Sequence, residues 1–231
     1  MFDSKYSKVL TVILVIVIIA IIALLGFLGY DYYKKTVTIN EAEKFVENFH
    51  NEETENNEEK PEEKPNQEKP EEKPNKENPF EQIESNQPPT SNGTSKKPQY
   101  KGFETLGTIE IPKINLKYPI IAKLSKKSLE TSVVFLSGTG INQPGNSVII
   151  GHNYNNGLFF SNVKRLKIGD KIYLKDNSGK KLTYTIYKKF EADKNDTSFY
   201  QRDTNNKPEI TLSTCTDHNN NARLIIFGRI D

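Results

Sequence analysis

From Val9 to Leu28 the chain reads VLTVILVIVIIAIIALLGFL, 20 consecutive residues without a charge. At ~1.5 Å of rise per residue, a helix of that length spans about 30 Å, the thickness of a bilayer's hydrocarbon core. A cleaved signal peptide is the competing reading, with Lys5 and Lys8 as its basic start. Its apolar region would usually run about 7 to 15 residues before a small-x-small site. Here the stretch is longer, and Gly26-Phe27-Leu28-Gly29-Tyr30 makes a poor cleavage site. The segment therefore reads as an uncleaved transmembrane anchor over residues 9–30, with Tyr30, Tyr32 and Tyr33 where an interfacial aromatic belt belongs. Residues 1–8 are expected to stay in the cytoplasm and everything after Tyr33 to lie outside, although Lys34 and Lys35 on the far flank blunt the positive-inside signal.

Composition changes abruptly beyond the anchor. Residues 51–79 contain no hydrophobic side chain, and their 11 Glu against 5 Lys give a net −6. Four near-repeats of EEKP end at Pro61, Pro65, Pro70 and Pro74, a spacing that blocks a continuous helix. Nothing there can bury against a core, so residues 31–100 are expected to form a disordered Glu/Pro/Lys-rich linker, interrupted by a short amphipathic stretch near residues 40–49. Residues 101–231 read as one globular domain with a net +8, near the usual domain size. A basic surface attracts nucleic acid and a polyanionic cell envelope equally well. The anchor removes the first option by placing that surface outside the cell.

Within residues 101–231, β-branched and aromatic runs recur between turn residues. They predict strands near residues 108–111, 116–121, 132–136, 147–151, 171–174, 182–190, 210–215 and 223–230. Pro112, Pro144-Gly145 and Asn177-Ser178-Gly179 punctuate them. Only residues 125–130 and 159–166 read as short helices. Eight strands with so little helix predict a mainly β fold, a closed or nearly closed eight-stranded barrel.

The chemistry falls on few residues. Cys215 is the single cysteine, so no intrachain disulfide is available in a segment expected to lie outside the membrane. It ends the predicted strand Ile210-Thr211-Leu212-Ser213-Thr214-Cys215, where a nucleophile is both held and accessible. A small buried core residue is the plainer alternative. A thiolate attacking a peptide needs a proton carrier for the departing amine. His50 lies in the expected linker. His152, after Val148-Ile149-Ile150-Gly151, and His218, three residues past Cys215, could each serve, and the residues alone leave that choice open. Arg223 would sit beside Cys215 in an antiparallel hairpin if the register allows, since a one-residue slip reverses every side chain. There it could hold an oxyanion. Arg229 lies about 20 Å further along the strand and reads as a surface charge.

Thr211-Leu212-Ser213-Thr214-Cys215, with Arg223 eight residues later, resembles the TLxTC…R signature of the sortase family. His152 in VIIGHN is similar to that family's histidine, and Gly107-Thr108-Ile109-Glu110-Ile111-Pro112 to its first strand. The stretch 159–174, with KRLKIGDKIYL inside it, is likewise sortase-like. The resemblance covers residues 103–230. It implies a sortase-type barrel and a membrane-anchored cysteine transpeptidase facing the wall of a Gram-positive cell. Its partners would be surface proteins with a C-terminal LPXTG-like sorting signal and an amine of a peptidoglycan precursor. By that resemblance Cys215 is the nucleophile, His152 the acid then base, and Arg223 the oxyanion or substrate holder. Thr214 lines the substrate groove, and residues 190–209 form the recognition loop.

Subclass signals point toward a housekeeping or class D-like anchoring enzyme. No second apolar span follows the last strand, Asn78-Pro79-Phe80 resembles a pilin-type lid only loosely, and residues 190–209 are short for a class B insertion. Glu191, Asp193 and Asp196 read as a solvated acidic loop rather than a calcium site, because calcium usually takes about 6 to 8 oxygen ligands. No cofactor is expected. A pilin-polymerising sortase, a hydrolytic cysteine peptidase sharing Cys215 and His152, and a non-enzymatic envelope-binding module using the basic surface are the alternatives.

Overall fold

The computed structural model describes residues 4–55, 97–216 and 221–230. The chain divides into two units, Met1–Glu41 and Ala42–Asp231.

The first unit is helical. Helix α1 (Ser4–Glu55) contains the apolar run, whose side chains, such as Leu10 and Phe27, stand exposed. It is the one helix among the described residues long and apolar enough to cross a membrane. The linker was expected to begin at residue 31, but α1 continues to Glu55. The physical reason is an apolar stripe at helical spacing, Ala42, Phe45, Val46 and Phe49. Ala42 and Val46 are fully buried, and Ala42, Tyr100 and Phe45 join the barrel's own core cluster. The Phe45 and Tyr100 rings meet edge-on at 5.3 Å. Polar contacts flank the stripe: His50 reaches Glu110 at 3.3 Å and Glu47 faces Lys117 at 3.7 Å. His50 is therefore part of the folded second unit rather than of a tether. The EEKP repeats and Asn78-Pro79-Phe80 lie outside the described residues.

Nine strands make the second unit. They are β1 (Gln99–Tyr100), β2 (Phe103–Ile111), β3 (Leu116–Ile121), β4 (Val133–Ser137), β5 (Gly145–Ile150), β6 (Lys171–Asp176), β7 (Lys181–Asp193), β8 (Pro208–Cys215) and β9 (Ala222–Ile230). All eight predicted strands are present. The ninth, β1, pairs with the start of β2 through Lys101-Gly102, both at positive φ, the two-residue hairpin geometry favoured by strand twist. Strand order β2-β3-β4-β5-β8-β9-β7-β6, with β6 pairing back onto β2, closes an eight-stranded barrel. Closure brings β2 and β6 close together at Gly107 (φ +149°), where a Cβ would lie 2.0 Å from the Lys175 carbonyl oxygen. Only glycine fits there.

Of the two expected helices, residues 125–130 form α2 (Lys126–Leu129), capped reciprocally by Ser125 and Ser128. Residues 159–166 do not form a helix; only Val163–Arg165 makes a 3-10 turn. Phe159, at φ +49° and bridged to Asn153, starts that segment in a conformation no helix contains.

Alternation along the strands builds two apolar layers. Ile109, Ile149, Ile172, Tyr184, Ile210, Leu212 and Ile226 fill the barrel. On its outside, Ile121, Val134, Val148 and Ile150 pack with Leu129 of α2 and with Tyr200 from a 3-10 turn over Ser198–Gln201. That outer layer ends where β5 and β8 end.

Candidate active site

Cys215 closes β8 on the outward face. Ile210 and Leu212 point into the barrel, so Thr211, Ser213 and Cys215 point out, and Cys215 is half-buried. Antiparallel pairing with β9 sets Ser213 against Ile225, Thr214 against Leu224 and Cys215 directly against Arg223. The register left open by the sequence thus puts thiol and guanidinium on one face as nearest cross-strand neighbours. Arg223 is 7% exposed, and one of its nitrogens donates to the Ala222 carbonyl at 3.2 Å.

On the other side of β8, β5 runs parallel, with Ile150 level with Ser213. The alignment continues past the end of β5. The Gly151 N–H donates to the Ser213 carbonyl at 3.3 Å, the Thr214 hydroxyl to the Gly151 carbonyl at 2.7 Å, and the Asn153 amide to the Cys215 carbonyl at 3.0 Å. Carried two residues beyond the end of β5, that alignment leads His152 toward one side of Cys215, whose other neighbour is Arg223. The His152 ring stacks on Tyr154 at 4.7 Å between centroids. Burial pushes its pKa below the ordinary histidine value, and the Glu130 carboxylate opposes that shift. A thiol between a proton carrier and a buried cation suits nucleophilic attack on a carbonyl: the first can attack, the second move the proton, the third meet the developing oxyanion.

A model of the sortase domain matches residues 109–231. This chain belongs to the sortase family. It is 30% identical to sortase A of Bacillus anthracis over 128 residues, 54% of this chain and 59% of that relative. It therefore spans about three fifths of that protein's length. It is also 30% identical to sortase D of Bacillus subtilis (strain 168) over 150 residues, 61% of this chain and 73% of the relative. Among solved structures it is similar to Clostridium perfringens sortase C with the C-terminal cell wall sorting motif, at 29% identity and TM-score 0.50, over 55% of this chain and 71% of that one.

The remaining expected residues of this sortase domain fall as follows. Thr214, expected to line the groove, alternates to the inner side of β8, is 3% exposed and spends its hydroxyl on Gly151. His218 lies outside the described residues. Arg229 is exposed and stacks over Tyr187, its guanidinium 4.9 Å from the ring centroid. In the acidic loop, Asp193 accepts from the Asn195 N–H and Asp196 from the Ser198 N–H and hydroxyl, so both carboxylates cap turns. Among the described residues no group of three or more His, Cys, Asp or Glu side chains is placed to hold a metal ion.

Three contributors went unseen in the sequence. Asn153 is one. Tyr200 covers the outer face of β8, its hydroxyl 3.1 Å from the Ser213 hydroxyl. Arg202 pairs with Glu209 at 2.9 and 2.7 Å, donates to the Thr211 hydroxyl at 2.6 Å and lies 3.9 Å above the Phe227 ring. These pin residues 198–202 over β8 next to the site. The only legible signal was the Phe199-Tyr200 pair inside an otherwise polar loop.

Proposed function

We propose that this chain is a membrane-anchored cysteine transpeptidase, held by residues 9–30, with residues 101–231 as its catalytic part facing the cell wall. It cleaves an LPXTG-like sorting signal and joins the released carboxyl end to an amine of a peptidoglycan precursor. What carries the reading is the cross-strand pairing of Cys215 with Arg223, with the loop of His152 tied to the Cys215 carbonyl by Asn153, in a chain of the sortase family. The likeness to a sortase C whose structure includes a cell wall sorting motif supports the substrate class.

In the first half-reaction the Cys215 Sγ bonds to the scissile carbonyl carbon while neutral His152 accepts the thiol proton. The oxyanion that forms faces the Arg223 guanidinium. Collapse breaks the C–N bond, and His152 returns its proton to the leaving amine. The thioester left on Cys215 is then attacked by an incoming amine. That amine loses a proton to His152, and the C–S bond breaks with the proton going back to sulfur. The lowered pKa of His152 keeps the imidazole neutral at the start of each half. Thr214 supports the strand joint beneath the thiol.

The test uses the full chain in detergent with LPXTG-like peptides, with and without an amine acceptor, read by intact-mass spectrometry. An acyl adduct that is absent in Cys215→Ala and is resolved faster by amine than by water is the expected result. Turnover by water alone would mark a hydrolytic peptidase. No adduct, with normal function of Cys215→Ala in the cell, would mark an envelope-binding module.

A further inference from the structure

The two residues after His152 hold a position that neither the family resemblance nor the proposed chemistry assigns. β5 ends at Ile150, so His152 lies on loop backbone, where an imidazole is ordinarily free to swing. Here the loop is tied on both sides. The Asn153 side chain bridges 62 residues of sequence to donate its amide to the carbonyl of Cys215 itself, while its carbonyl oxygen accepts from the Asn155 N–H at 3.1 Å. Tyr154 lies with its ring at 28° to the imidazole. That ring leans in turn on Phe159 at 5.9 Å. Phe159 is 2% exposed, and its N–H donates to the buried Tyr118 hydroxyl at 3.2 Å. The Tyr154 N–H is fixed by the Ser161 hydroxyl at 3.1 Å. A chain of contacts thus runs from the barrel core through Phe159 and Tyr154 to the imidazole, and a second runs from the loop to the thiol's own backbone.

We propose that Asn153 and Tyr154 are positioning residues of the transpeptidase reaction, Asn153 setting the spacing between thiol and imidazole and Tyr154 fixing the plane of the imidazole. The proposal rests on the reading of His152 and Cys215 given above. Tyr154 is 44% exposed, although Phe159 beside it is buried, so the ring stays at the surface against His152 rather than joining the core. It shields one face of the imidazole from water, which agrees with burial as the leading cause of that group's lowered pKa. The charged or titratable groups about the imidazole are Glu130 at the end of α2, Cys215 and Arg223 on β8 and β9, and Tyr154 itself.

Two measurements on the full chain in detergent micelles separate positioning from mere folding. The first follows the His152 imidazole by NMR against pH, assigned with His152→Gln among the three histidines. Tyr154→Leu should raise its titration midpoint by at least about half a unit. Tyr154→Phe, which keeps the ring, should hold the midpoint where it is. The second follows Cys215 acylation by an LPXTG-like peptide. Asn153→Ala and the near-isosteric Asn153→Asp should each lower the maximal rate about tenfold while KM stays within about twofold. Alkylation of Cys215 by iodoacetamide should slow in parallel. An unmoved His152 midpoint in Tyr154→Leu, or a loss confined to KM in both Asn153 variants, would overturn the proposal. If the unaltered chain forms no thioester yet His152 and alkylation respond as expected, the transpeptidase reading fails while the positioning stands.

Discussion

The two faces of β8 do different work. Inward, Ile210 and Leu212 are apolar, almost fully buried and interchangeable in kind with the Ile and Leu around them, and only Thr214 at the strand's end adds a polar group, its hydroxyl bonded to the Gly151 carbonyl. Its outward side chains, Thr211, Ser213 and Cys215, are polar. The first two are individually engaged, Thr211 by Arg202 and Asn146, Ser213 by Tyr200. The inner face keeps the barrel closed by non-directional burial, which tolerates changes of shape and punishes loss of volume. The outer face is organised by directional bonds and places one reactive group. Stability and reactivity should therefore separate by parity along a single strand.

The largest effect expected is on the outer face. Cys215→Ala should abolish thioester formation altogether while moving the free energy of unfolding by no more than about 0.5 kcal/mol, checked by intact mass and denaturant unfolding. On the inner face, Leu212→Ala should cost about 2 to 5 kcal/mol of stability and leave the alkylation rate of Cys215 in the folded protein unchanged. If that variant also slowed alkylation severalfold under native conditions, the division by parity would be broken.

The helix stripe sharpens the comparison, because it extends the inner core beyond the barrel. Val46→Asp places a charge at a site 1% exposed and should destabilise the second unit on the order of 3 kcal/mol, read from its thermal transition. A smaller loss, about 1 kcal/mol, is expected for Tyr200→Phe, which removes the hydroxyl facing Ser213 from the outer layer. Smallest is a matter of pH. His152 must be neutral to take the thiol proton, and its pKa lies below the ordinary value of about 6.5. Acylation should thus persist as pH falls through 6.5 and disappear only at lower pH. Glu130 raises that pKa, so Glu130→Gln should move the acid limb further down, by a small fraction of a unit because Glu130 is solvent-exposed and screened.

Much of this arrangement was legible from residues alone, for identifiable reasons. The strands announce themselves because buried β positions demand Ile, Val, Leu and aromatic residues at period two. The helix 126–129 was expected as residues 125–130, and the structure shows Ser125 and Ser128 capping it. What stayed hidden depends on distant partners. No local signal sets Cys215 against Arg223 rather than against Ala222 or Leu224; that register is fixed by apolar matching along the rest of β8 and β9. Asn153 looked like any loop asparagine, because its partner is a backbone carbonyl 62 residues away. The stripe at 42–49 was visible as amphipathic, but it adjoins 11 glutamates, and composition averaged over the segment masked its period. Residues 159–166 misled in the opposite direction, since their apolar spacing fits a helix while the Asn153 bridge holds Phe159 at positive φ.

The pairing of β8 has a consequence for what the thiol can meet. β8 is bonded to β5 from Pro208 to Ser213 on one side and to β9 from Glu209 to Cys215 on the other. Over that length both edges of β8 are taken, so an extended guest cannot join it there as an added strand. On the proposed function, a visiting peptide would lie across that part of the sheet like a rope over a deck, gripped by the side chains and loops that stand proud of it. Its sequence would then be read from those fittings, and a different cargo could be accepted by refitting the loops while the hull beneath stays as it is.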